Sequence, residues 1–204
     1  MPDSLTARGA TLAIATGHAL SLALLDGEQV LAEDHRHMDR GHAEALIPAL
    51  RALLEGRPTP EVILVETGPG SFTGLRVGIA AARALAVGWQ VPVSGVSSMQ
   101  LVAAEARARG HLGPLMVALA APRGQVWIQR LSGVQPLGPP QSLVPEQARM
   151  ALAASSEPVT GSAAATLEAA GPEREPRARF ATRVPPPQRS LPLPLYVRPQ
   201  AQAA

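Results

Sequence analysis

The chain has 204 residues, 46% of them hydrophobic, and a formal net charge of +2. That length suits one full domain or two small ones around a real apolar core. All eighteen basic residues are arginines, offset by sixteen acids and spread without a dense basic tract, and the aromatics are few (Phe72, Trp89, Trp127, Phe180, Tyr196), so direct nucleic-acid binding has little support. Cysteine is absent, which excludes disulfides, thiol nucleophiles and cysteine-held metals. Met1 to Ala10 carry Asp3 and no long apolar run, so no secretory signal is expected. No stretch reaches membrane-crossing length, and a soluble cytoplasmic protein is the expectation.

Residues 11–15 read as a buried strand, 16–18 as a turn, 19–25 as a second strand and 29–33 as a third. Asp26-Gly27 between the last two is a hairpin signal. Asp39 to Gly41 lead into a helix whose Leu46, Ile47, Leu50, Leu53 and Leu54 share one wide face. Pro48 is tolerated only in a first turn, which moves the expected start towards Leu46. His42, at the helix mouth, reads first as a solvated or capping residue.

The most informative stretch is Glu66 to Gly78. Val62 to Val65 is a short aliphatic strand, Gly68-Pro69-Gly70 a tight turn, and Ser71 or Thr73 a cap for the next helix. Leu75, Ile79, Ala82 and Ala86 give that helix an apolar face, while Gly74, Gly78 and Ala81 form a second, nearly bare face that ends at Leu85. Two glycines in a helix each cost about 1 kcal/mol against alanine. Either another helix comes very close, in the core or at a partner surface, or the backbone near the loop requires them. The stretch is not a Walker motif, which needs a lysine, nor the dinucleotide pattern, since Thr73 stands where the third glycine is required. Unpaired N–H groups at the helix start could still take an anion.

Residues 92–96 form a further strand, and Ser97 or Ser98 caps a helix to about Arg109 with Leu101 and Val102 on its apolar side. Gly110 to Pro114 is the best boundary, dividing an N-terminal lobe, 1–110, from a smaller one, 111–204. Leu115 to Ala120 is a strand, Pro122 to Gly124 a turn, and Gln125 to Leu131 a partly exposed strand. Val134 to Leu143 is irregular, Gln147 to Ala153 at best a short helix, and 158–162 a last strand entering a helix over 163–170. Gly171 to Arg189 carries five prolines and five arginines and reads as extended or loosely attached. Leu191 to Arg198 is apolar again, a closing strap anchored by Tyr196 or a peptide for a partner.

Catalysis needs convergent polar groups. Asp26, Asp34, Asp39, Glu44 and Glu66 lack metal-ligand spacing, and Ser71, Ser97 and Ser98 lack an obvious base. His35 and His37 alternate near a strand end and could chelate a metal, but no H-E-x-x-H pattern exists. The residues alone leave a non-catalytic module at least as probable as an enzyme.

Gly68 to Gly78, the segment Gly41 to Pro48, Val91 to Ser98 and the opening Leu12 to Gly27 together resemble the TsaB (YeaZ) family of bacterial tRNA threonylcarbamoyladenosine biosynthesis proteins, related to the TsaD family. The second half is similar only through Arg123 to Trp127 and Pro194 to Arg198. The resemblance implies an α/β, actin-like and sugar-kinase-like (ribonuclease-H-like, ASKHA) fold of two small lobes, the second reduced. It implies a non-catalytic subunit with no cofactor and no metal of its own. Its partner would be a TsaD-like protein that transfers threonylcarbamoyl to adenosine 37 of ANN-decoding tRNAs, joined by a TsaE-like ATPase, with tRNA met only indirectly and a homodimer when the partner is absent. The helices similar to the family's dimerisation surface are 42–54 and 73–87, which nominates His42, Leu46, Leu50, Leu53, Thr73, Gly74, Arg76, Val77, Gly78, Ala81 and Leu85 as interface residues. Arg76 and Arg83 would flank the seam and pair with partner acids. Ala15 stands where nucleotide-binding members carry an aspartate, Ala120 and Pro122 replace an aspartate and an arginine, and Ala43 replaces the serine after the helix-mouth histidine. A rival reading is a small enzyme of the same superfold, such as a kinase, carbamoyl transferase or hydrolase. A blander one is self-association alone.

Overall fold

A computed structural model describes residues 9–38, 41–169 and 171–198. Asp39, Ala170 and most of the first ten residues, which entered the readings above, lie outside the described residues. β1 (Thr11–Ala15), β2 (Leu20–Asp26) and β3 (Gln29–Arg36) form an antiparallel meander. The two residues between β2 and β3 make the expected hairpin turn, with Gly27 at φ 58° where only glycine is unstrained. β4 (Val62–Gly68) runs parallel to β1, and β5 (Val93–Ser97) parallel to β4, which gives a five-stranded sheet in the order β3-β2-β1-β4-β5. This is the first-lobe sheet of an actin-like, ribonuclease-H-like fold.

Helices α1 (His42–Leu54) and α2 (Phe72–Trp89) lie side by side on one face of this sheet. Leu46, Ala49, Leu50 and Leu53 from α1 and Ile79, Ala82 and Ala86 from α2 meet Leu12, Ile14, Leu22 and Ile63 from the strands. α1 begins at His42, earlier than Pro48 suggested. The proline removes the bond its N–H would give the Glu44 carbonyl, but both residues are on the exposed side, where water can bind that oxygen.

α3 (Ser98–Ala108) starts with a full capping box: Ser97 Oγ accepts from Gln100 N at 3.1 Å and Gln100 Oε1 from Ser97 N at 3.0 Å. It is not one-sided as its pattern suggested. Met99, Leu101, Val102, Ala103, Ala104 and Ala106 are all buried, because the helix is enclosed between the first sheet and a second one. In that second sheet β6 (Pro114–Ala120) pairs antiparallel with β7 (Val126–Ser132), which also pairs with β8 (Gln135–Pro136) and β9 (Gln141–Leu143). β10 (Val159–Thr160) adds to β6 in parallel. β7 is exposed only at Arg130 and Ser132 and is otherwise buried on both faces. Trp127 and Leu131 face the core shared with α3, and Val126 and Ile128 join Leu152 of α4 (Pro145–Ala153) on the other side. Residues 161–168 form successive turns and not a helix, and Glu168 at φ 55° ends the segment. Among the described residues no helix is long and apolar enough to cross a membrane.

The proline- and arginine-rich tail is fixed, contrary to its composition. Ala178–Arg183 makes a 3-10 turn, and Ala178, Ala181 and Val184 are buried in the core shared by both sheets. Ala178 N donates to the buried Ser21 Oγ at 3.0 Å, and Arg179 pairs with Glu33 at 2.9 Å. Ser190 then exchanges backbone bonds with Gly95 on edge strand β5. Glu175 sits at the opposite edge, against His35 of β3, so the tail spans the sheet's full width, about 19 Å for five strands. Leu195 N donates to Thr67 O at 2.7 Å, so the last segment lies across the body as a strap.

Candidate partner surface

The bare stripe of α2 faces inwards. A Cβ on Gly74 would overlap the Thr16 carbonyl oxygen, and one on Gly78 would overlap Thr16 Oγ1. Thr16 Oγ1 also donates to Gly74 O at 2.8 Å. The close approach expected of another helix is made by the β1–β2 turn of the same chain. Gly74, Gly78, Leu46, Leu50, Leu53 and His42 are thus buried within the chain itself. Val77, Ala81 and Leu85 are half-buried, and only Thr73 and Arg76 of the eleven nominated residues are exposed. His42 neither caps its helix nor meets solvent. Gly41, at φ 86°, is the N-cap, and His42 Nε2 is buried without a hydrogen-bond partner.

The outward face of the helix pair is made by other residues. On α1 it includes Ala43, Ile47 and Arg51, and on α2 Ala80, Arg83, Ala84 and Val87. Ile47 is 60% exposed and Val87 79%, so neither contributes to the chain's own core the roughly 1.5–3 kcal/mol that full burial of such a side chain is worth. At the start of α2, Phe72 stacks on Tyr196 of the strap with centroids 5.4 Å apart. The Arg76 guanidinium lies 3.7 Å from the Phe72 centroid, and Arg76 Nε donates to the Tyr196 hydroxyl at 2.8 Å. Arg76 is therefore engaged with its own strap. Neither Phe72 nor Tyr196 entered the nominated set, although a phenylalanine straight after a capping serine, in a chain with five aromatics, was a visible signal.

The β1–β2 turn beneath the start of α2 is occupied by a carboxylate of the chain itself. The buried Glu66 carboxylate accepts from Thr16 N at 2.9 Å, Gly17 N at 2.6 Å and Ser98 Oγ at 2.6 Å. These three donors are already taken by Glu66 and are not free for a phosphate. The start of α2 is likewise engaged: Ser71 Oγ accepts from Gly74 N at 3.3 Å, and Ser71 N donates to Gly17 O at 2.7 Å. Ala15, at the end of β1, is buried and apolar, so it offers nothing to a metal-bound phosphate.

A meander with two parallel strands, paired helices on one face and a second sheet beyond α3 define a two-lobed protein of the actin-like class. The family model described as "TsaD: tRNA N6-adenosine threonylcarbamoyltransferase" matches residues 30–153. The TsaB protein of Bacillus subtilis strain 168, named a tRNA threonylcarbamoyladenosine biosynthesis protein, is 37% identical over 122 residues, 57% of this chain and 52% of that one. The Escherichia coli K12 protein of the same name is 32% identical over 92 residues, 43% of this chain and 40% of that one. The solved structure of YeaZ from Pseudomonas aeruginosa superposes with a TM-score of 0.75 at 23% identity, covering 93% of this chain and 100% of that one. The chain belongs to the TsaB/YeaZ family, related to TsaD. It spans about half the length of the curated relatives it matches.

Proposed function

We propose that this chain is a non-catalytic subunit of the cytoplasmic machinery that makes threonylcarbamoyladenosine in tRNA. It acts by binding a TsaD-like protein, which carries out the transfer to adenosine 37 of ANN-decoding tRNAs, in a larger complex with a TsaE-like ATPase. The lobe 1–110 presents the partner surface, and 111–204 is the smaller supporting lobe. The observation that carries this reading is the outward face of α1 and α2, where Ile47 and Val87 stand exposed on elements inside the matched region. The Glu66 carboxylate in the β1–β2 turn supports a subunit that leaves nucleotide chemistry to others. The nominated residues contribute from beneath: Leu46, Leu50 and Leu53 seat α1 beside α2, Gly74 and Gly78 seat α2 on the β1–β2 turn, and Thr73, Arg76, Val77, Ala81 and Leu85 complete the face.

Co-elution with the TsaD-like protein of the same cell is the test. Ile47→Asp combined with Val87→Asp puts two charges on the face without touching the core. The double variant is expected to keep its circular dichroism and melting temperature and to bind the partner at least ~100-fold more weakly, as for loss of two central contacts. A folded double variant that still co-elutes in stoichiometric amount would place the interface elsewhere.

A further inference from the structure

His35 and His37 are two residues apart at the end of β3, so an extended backbone turns both to one side. The tail brings Glu175 to them. His35 Nε2 lies 2.6 Å and His37 Nε2 3.3 Å from Glu175 Oε1, and the ligand-capable atoms of the three residues all lie within 4.8 Å of one another. A tetrahedral cation with bonds of about 2.0–2.1 Å separates neighbouring ligand atoms by roughly 3.3–3.4 Å. The His37–Glu175 spacing already matches, and His35 needs to withdraw by less than about 1 Å, exchanging its hydrogen bond for a metal bond. We propose that His35, His37 and Glu175 form a zinc-type divalent cation site that staples the tail to edge strand β3.

Two imidazoles and one carboxylate favour zinc and its neighbours over magnesium or calcium, which take oxygen. His37 is 79% exposed. With Glu175 it borders a cavity of about 380 Å³, also lined by Glu105 and Arg174, which leaves a fourth coordination position open to water. The site is structural: a bond across 140 residues of sequence resists peeling of the tail.

The test is calorimetric titration of the untagged full chain with zinc chloride, with magnesium chloride in parallel. One zinc per chain is expected, with no saturable magnesium uptake. His37→Ala, at an exposed position, and Glu175→Gln are each expected to weaken zinc binding by at least about tenfold, the smallest loss usual when groups around a metal are altered, with unchanged circular dichroism. Zinc should slow tryptic cleavage after Arg174 and Arg177 in the natural chain and not in either variant. No saturable uptake up to 1 mM zinc (on the order of the weakest useful site), or equal affinity in His37→Ala, would overturn the proposal.

Discussion

The first sheet is covered in two unlike ways. On one face α1 and α2 supply Leu46, Leu50, Ile79 and Ala82 at helical spacing, so each helix brings a continuous apolar stripe. On the other face α3, β6 and β7 are joined by a tail with no repeating pattern, which contributes Ala178, Ala181 and Val184 one at a time. Both coverings exclude water from the same strands. The helical one is assembled from neighbours in sequence, the other from contacts such as Ala178 with Ser21, 157 residues apart. Regular spacing is thus one way to build a core and not a requirement for one.

Three substitutions probe that contrast. Gly74→Leu should have the largest effect, because a side chain must displace the Thr16 carbonyl at a junction of backbone with backbone. A loss of more than about 4 kcal/mol is expected, beyond ordinary overpacking, read from urea unfolding. A stable Gly74→Leu chain would show that α2 can lift off the turn. Ala178→Asp places an unpaired carboxylate in the shared core and should cost about 3 kcal/mol. If its thermal midpoint and protease resistance match the natural chain, the tail covers the sheet only loosely. Arg179→Gln removes a partly exposed ion pair with Glu33 and should change stability by less than about 1 kcal/mol, less still at high salt. A larger loss would mean that charge, and not the burial of Ala178, Ala181 and Val184, holds the tail.

Much of the helical face is visible in the sequence because its signals are local. The spacing of Leu75, Ile79, Ala82 and Ala86 lies within one helix, and the Asp26-Gly27 hairpin and the serine cap of α3 are equally local. The tail is not visible, because proline and arginine content reports how a segment behaves alone, whereas Ala178 and Val184 are ordered by strands far away in sequence. Several nominated interface residues are buried for a related reason. Apolar periodicity first reports burial in the chain's own core, so it selected Leu46, Leu50 and Leu53. The outward residues Ala43 and Ile47, and Ala80, Ala84 and Val87, also fall at helical spacing, but three of the five are alanines interleaved with Arg51 and Arg83, so they form no strong apolar stripe. The glycine stripe was recognised as a close contact, but its neighbour, Thr16, lies in a turn that sequence spacing cannot bring next to a helix. Glu66 looked like one scattered acid because its three donors come from two other segments.

The backbone pairing of Ser190 with Gly95 on β5 has a consequence in time. The polypeptide is made from its N-terminus, and 95 residues separate these two positions. At about 5–20 residues per second, the edge of the first sheet stays open for roughly 5–19 s after Gly95 is added. During that interval α1 and α2 are already synthesised, while the strap, with Tyr196 for Phe72 and Arg76, is not. A nascent chain therefore displays its helix pair to the cell before its own last segment arrives to close the sheet.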